Sequence, residues 1–345
     1  KVLALAGDNL WAEIDLNEIP SDFEKAFGGI MTDLPLPMIH DEQGKEVQLT
    51  FSSYGRFRGS KKREVRRETV EKFFGSLDGF RHTLAALFSG QVNLNILYAR
   101  ARGYDTALEA YLDKDNIAPA VVHNLIDTIR ANLSPLHDYV ALRKKAMGLD
   151  EIHIYDLYAP FVPGVDQEVT YAQAMDILPK ALAPLGKGYV SVLKEGLDLD
   201  RGWVDVFPHK NKKSGAFCAS VFGVHPFIKM NYFAEVDDLS TLAHEFGHAI
   251  HSHLAMEKQP YFTSNYTTVV AETASTTNEK FLSDYLLANA KSDEERLSLL
   301  AGLVETIRTT IYRQTLFTEF ELRAHTAAEK GTPLTAELLN GIYRQ

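Results

Sequence analysis

Residues 244–248 read His244-Glu245-Phe246-Gly247-His248, and this pentapeptide limits the possible folds more than any other stretch of the chain. Its two histidines can act together only on a helix, where positions i and i+4 lie one above the other on one face. Both imidazoles then reach a single metal ion. Glu245 stands one residue round, placed to reach a coordinated water without ligating the metal itself. Two nitrogen ligands, an open coordination position and an adjacent base are the parts of a hydrolytic zinc site. The helical pattern runs from about Asp237 to Met256, with Asp237 or Asp238 as its cap.

A catalytic zinc usually takes a third protein ligand. One class of such sites supplies a further histidine after a glycine at fixed spacing. Here those positions hold His251 and Leu254, so that class is excluded. The other class takes a glutamate from a following helix. Glu257 is too close, because it lies at the end of the same helix. Glu272 and Glu279 share the next helical segment, seven residues apart and nearly on one face. Glu272 follows His248 by 24 residues, enough for a loop containing Pro260 and a return to the metal. It is the expected third ligand. Glu279 is expected to orient an imidazole from outside the metal's own ligands. His251, seven residues beyond His244, is assigned a similar outer position.

Most of the remaining chain reads as helix. Phe73, Leu77, Phe80, Leu84 and Leu87 form a stripe at helical spacing. Further helical patterns cover about Ala118–Met147, Tyr171–Leu193 with a break at Pro184-Leu185-Gly186, Thr268–Leu287 and Asp293–Glu329. The last carries Leu300, Val304, Ile307 and Ile311 on one face and ends at Gly331-Thr332-Pro333. Strand signals are fewer. Lys45–Phe51 alternates, and a second set spans Ser214–Cys218 and Phe227–Tyr232, immediately before the motif helix. A boundary near residue 58 separates the end of an N-terminal accessory region, 1–58, from a helical catalytic domain, 59–345, expected to be incomplete at its C-terminus.

The net charge of −10 disfavours nonspecific nucleic-acid binding, which needs a basic surface. The basic runs Arg56–Arg67 and Lys210–Lys213 lack interleaved aromatics and read as solvated surface. A single cysteine, Cys218, cannot form an intrachain disulfide. That cysteine usage fits a reducing compartment, so the expected location is cytoplasmic, and no apolar run is long enough to span a bilayer. The chain opens on Lys1 rather than methionine and stops at Gln345 in a helical pattern, which reads as a fragment of something longer.

Several blocks together resemble the thimet-oligopeptidase family of zinc metallopeptidases, most closely its oligoendopeptidase F branch. They are Ser214-Gly215-Ala216-Phe217, Leu242–His251, Ala271–Glu279, Arg313–Phe320, Leu142–Lys145 and Tyr155–Tyr158. The resemblance implies a mainly α, elongated multi-helix gluzincin with a small β-sheet before the metal-binding helix. It implies one Zn2+ per chain on His244, His248 and Glu272, with Glu245 as catalytic base. The substrates it implies are short unstructured peptides cut at internal bonds. Ser214, Gly215 and Ala216 would belong to an edge strand that pairs with substrate backbone. The family's tyrosine-rich, glycine-containing C-terminal segment is not found after Glu279, so this chain alone is expected to be weakly active or inactive. The rival readings are a noncatalytic helical peptide-binding scaffold and a zinc hydrolase of non-peptide amides. Asp156, in a tyrosine-flanked stretch, is expected to be a buried partner for a basic side chain.

Overall fold

The structure is a computed structural model describing residues 20–162, 168–209, 212 and 215–345. Among the described residues it is mainly α-helical with two small sheets. The chain divides into two compact units, one reaching to Phe161 and including Thr306–Gln345, the other Val162–Glu305. Position 58 lies inside the first unit. Among the described residues no helix is long and apolar enough to cross a membrane.

The described part of the first unit opens with α1 (Pro20–Asp33), then strands β1 (Met38–His40) and β2 (Glu46–Gln48), paired antiparallel with Ile39 opposite Val47. Five helices continue as α2 (Phe51–Arg58), α3 (Arg63–Asp78), α4 (Arg81–Ala101), α5 (Ala107–Asp113) and α6 (Pro119–Ala131), followed by α7 (Ser134–Ala146). The alternating stretch expected over Lys45–Phe51 is thus strand for only three residues. Thr50 caps a helix instead, its hydroxyl accepting from the Ser53 amide, and Phe51 becomes exposed helix rather than strand face. The Phe73–Leu87 stripe is also divided, at Gly79-Phe80. Phe73 and Leu77 pack with Ile39 and Leu49, whereas Ala85 and Phe88 join a separate cluster with Val92, Ile96 and Ala324. The pattern over Ala118–Met147 splits at Asn132-Leu133, where Pro135 starts the second helix.

Asp156 is fully buried and accepts from Arg66 at 2.7 Å and Arg63 at 2.9 Å, as its sequence setting suggested. Arg143 donates to the backbone carbonyls of Asp156 and Ala159. The basic run that includes Arg63 and Arg66 is therefore not all solvated. Its members are drawn inward by the one carboxylate they share.

The second unit holds α8 (Tyr171–Ala181), α9 (Lys187–Leu197), β3 (Val204–Asp205), β4 (Phe217–Ala219), β5 (Phe227–Lys229), α10 (Val236–Lys258) and α11 (Thr268–Ala288). A turn at Ala183–Leu185 separates α8 from α9, where the proline and glycine foretold a break. The sheet order is β3-β5-β4: β5 is parallel to β3 and antiparallel to β4, with Cys218 opposite Ile228. Its two-residue β3 has no signal in the sequence. Lys212 is bound there, donating to the Asp205 and Phe207 carbonyls with its side chain only 4% exposed, contrary to a solvated run.

The core of this unit forms around α10. Leu239, Leu242, Ala243, Phe246, Ala249 and Ile250 recur at three- and four-residue spacing and are all fully buried. They pack against Leu178 and Leu182 of α8, Leu193 and Leu197 of α9, and Ile228 and Met230 of the sheet. Each large side chain so buried contributes about 1.5–3 kcal/mol. Gly196 of α9 permits this packing, since a Cβ there would fall 2.6 Å from the Phe246 ring.

Helix α12 (Asp293–Ile307) continues through a π-helical turn, Arg308–Tyr312, into α13 (Arg313–Glu329), and α14 (Ala336–Tyr343) follows. Among the described residues the apolar stripe of this stretch packs into no core. Leu300, Val304, Ile307 and Ile311 are all exposed, and α12 has no buried residue.

Candidate metal centre

The metal-binding candidates are presented by α10 and α11, which lie side by side. The first turn of α10 is fixed by Asp238, whose carboxylate accepts from the amides of Phe233 and Glu235. Glu235 occupies the capping position itself, so Asp238 acts from inside the helix. From that start the one-in-four repeat brings His244 and His248 onto the same open face, opposite the buried stripe.

The two imidazoles direct Nε2 at one another, 3.1 Å apart. Glu272 Oε2 lies 3.5 Å from the first of these nitrogens and 3.7 Å from the second. The three ligand atoms form one cluster. The outer nitrogens are engaged elsewhere: His244 Nδ1 contacts the Glu279 carboxylate, and His248 bonds the Ala271 backbone. With Nδ1–H donated outward, each inner nitrogen presents a lone pair. Two lone pairs facing at this distance repel unless a proton or a cation lies between them. Ligands about 2.0–2.1 Å from a tetrahedral zinc stand about 3.3 Å apart, so the donor set fits zinc in kind and in spacing. The Glu272 side chain is 51% exposed, which leaves the outer side of the cluster open.

Why the two helices come so close is explained by Gly247. A Cβ at that position would meet the Ser275 Cα at 2.5 Å and the Ala274 carbonyl at 2.8 Å. Backbone therefore packs on backbone between the two histidines. Asn278 ties the pair further, donating to the Ala243 carbonyl and accepting from the Tyr189 hydroxyl. Burial pushes the Tyr189 phenol up to about 12, so it remains a donor. Ser275 donates to Glu272 Oε2 at 2.8 Å and holds the carboxylate toward the histidines. None of Ser275, Asn278 and Tyr189 stands out in the sequence. For Ser275 a signal did exist in retrospect, a hydroxyl three residues after the expected ligand on one helix face.

Glu245 is buried, and its Oε2 has no hydrogen-bond partner among the described residues. Burial, with the charges of Glu272 and Glu279, raises its carboxyl above the ordinary value against the pull of His244. Burial alone would lower the His244 imidazole, but Glu279, Glu245 and Glu272 outweigh it and leave the ring raised. His248 is lowered by burial and by His244 beside it.

His251 does not join the cluster. Its ring stacks on Tyr266 at 3.7 Å, and the Tyr266 hydroxyl meets Ser252 and the His248 carbonyl. Of the three expected substrate-binding residues, Ser214 lies outside the described residues. Gly215 adopts φ +81°, and its carbonyl accepts from Lys229 and Asn231. Ala216 packs partly against the core. Strand β4 begins at the next residue and is an edge strand, pairing only with β5 among the described residues. It lies against α10, close enough for the Cys218 thiol to feel the Glu245 charge. Burial first, then that charge, pushes the thiol up to about 12.

The profile of peptidase family M3 matches residues 56–345. Oligopeptidase PepF of Bacillus subtilis (strain 168) is 45% identical over 311 residues, covering 90% of this chain and 46% of its own length. An oligoendopeptidase F homolog of Lactococcus lactis subsp. lactis is 34% identical over 343 residues, 99% of this chain and 55% of its own. A crystal structure of oligoendopeptidase-F from Enterococcus faecium superposes with a TM-score of 0.70 at 29% identity, covering 95% of this chain and 53% of that one. The chain thus spans about half the length of the relatives it matches. It belongs to peptidase family M3, in the oligoendopeptidase F branch.

Proposed function

We propose that this chain carries the metal centre of a zinc-dependent endopeptidase acting on internal bonds of short unstructured peptides. The observation that carries the reading is the convergence of His244 Nε2, His248 Nε2 and Glu272 Oε2 on one open point. His244, His248 and Glu272 would hold one zinc per chain. Bound there, the ion would supply Lewis acidity, lowering the pKa of a coordinated water and polarising a carbonyl.

The chain's own residues supply the rest. Glu245 Oε2, buried and without a partner, accepts the proton of the attacking water and later delivers it to the leaving amine. Glu279 holds the His244 ring so that Nε2 faces inward, and Ser275 does the same for Glu272. The open edge of β4 beside Glu245 offers backbone groups to an extended peptide, with Gly215 and Ala216 leading into it. Residues 59–345 form the catalytic part and 1–58 the end of an accessory part. A cytoplasmic location completes the reading. A noncatalytic scaffold is disfavoured by Glu245, because a buried carboxylate oxygen with no partner among the described residues costs stability.

Elemental analysis should find one zinc per chain and its loss in His248→Ala. Glu245→Gln should retain the zinc and lower cleavage of a quenched peptide by about 10²–10⁴-fold, the range for general acid–base groups. An unchanged rate in Glu245→Gln would overturn the base assignment, and zinc retained in His248→Ala would overturn the site.

A further inference from the structure

Beside the metal centre the second unit carries an aromatic patch that the chemistry above does not use. After β4 the chain turns through residues 221–224 and presents Phe222. After α10 it forms a short turn, Tyr261–Thr263, that presents Tyr261 and Phe262. Phe222 and Tyr261 meet edge to face at 5.5 Å, and Tyr261 meets Phe262 at 5.4 Å. All three are exposed, Phe262 to 92%. Aromatic rings held in mutual contact yet turned to water are costly unless something apolar covers them.

The elements that bear the patch indicate what covers it. Phe222 follows the open edge strand, and Tyr261 follows the helix that carries both histidines. Cys218 of β4 lies by Glu245, and Phe222 is four residues further on, past the end of the strand at Ala219 and so at most about 13 Å away along the chain. Along α10 the ten residues from His248 to Lys258 cover about 15 Å at ~1.5 Å each. Both segments start beside the metal centre, and the chain after β4 meets the chain after α10 at the Phe222–Tyr261 contact. A peptide laid along the free edge of β4 is carried onto these rings.

We infer that Phe222, Tyr261 and Phe262 bind a bulky apolar side chain of the peptide substrate about four residues from the cleaved bond. The inference rests on the proposed docking of substrate along β4. It adds a preference for apolar character at a distant position, and a requirement that the peptide be long enough to reach it.

Peptides ending in a hydroxamate, which anchors on zinc, fix the register without need of turnover. Two series of alanine-based peptides, anchored at the amino or the carboxyl end, would carry one phenylalanine walked from the second to the sixth residue. Affinity for the zinc-loaded full chain should peak near the fourth residue in one series, about tenfold above the alanine parent, the scale of burying one aromatic ring. The peak should vanish in Phe222→Ala/Tyr261→Ala with zinc content and thermal unfolding unchanged, since both side chains are exposed. A flat profile with zinc-dependent binding, or a peak that survives in the variant, would overturn the inference and leave the metal-site reading standing. Variants that change self-association but not the peak would overturn it too, making the patch a contact between copies. Hydroxamates that fail to bind, on a chain that takes up no zinc, would sink the metal-site reading as well.

Discussion

At the scale of single residues, the geometry of the candidate metal centre depends on a glycine and a serine as much as on its expected ligands. Gly247 is the only residue type that lets Ser275 of α11 touch α10 between the two histidines. Gly247→Ala should cost about 1–3 kcal/mol in denaturant unfolding, as overpacking does, and weaken zinc in parallel by separating Glu272 from the rings. Ser275→Ala leaves that contact intact but releases the Glu272 carboxylate. Its expected outcome is roughly 10-fold or greater weakening of zinc, measured by competition with a chelator, with unfolding stability nearly unchanged. Equal loss of stability in both variants would show that Ser275 acts by packing rather than by orienting the ligand.

At the scale of elements, α10 and α12 look alike as amphipathic sequences and behave differently. Every apolar position of the α10 stripe is buried, so Leu242→Ala should cost about 2–5 kcal/mol. In α12 the corresponding stripe is exposed among the described residues, and Leu300→Ala should then change stability by no more than about 0.5 kcal/mol. Urea unfolding of the two variants distinguishes these outcomes. A large cost at Leu300 would mean that this face is covered in solution. Helix periodicity states which residues share a face, and it is silent on whether anything packs there.

At the scale of the molecule, the two units respond to different agents. Asp156 anchors the first. Burial would raise its carboxyl, but Arg63, Arg66 and the His153 amide outweigh that and hold it below the ordinary 3.8. Its contribution is therefore complete above pH 3.8 and is lost as pH falls through the lower folded value. Stability measured from pH 7 down to 2.5 should fall more steeply in the native chain than in Asp156→Asn, and Asp156→Ala should cost about 3–5 kcal/mol at pH 7. On the proposed reading, zinc should act on the second unit. At 100 times its dissociation constant it should add about 2.7 kcal/mol, read as slower amide exchange in α10 and α11.

The helical class, the His244–Glu245–His248 face and the choice of Glu272 follow from spacing and residue chemistry, because an i, i+4 repeat and a ligand's donor atoms are local properties. The same logic identified Asp156 as a buried partner from its neighbours alone. It failed where burial depends on distant chain. Arg66 and Lys212 read as surface charge until Asp156 and the end of β3 drew them in, and the α12 stripe read as core although no described residue covers it. The closeness of α10 to α11 and the meeting of Phe222 with Tyr261 are contacts between residues far apart in the chain, and the burial of Glu245 depends on the same packing. They are set by how side chains fill space between elements, and no period along the chain encodes that.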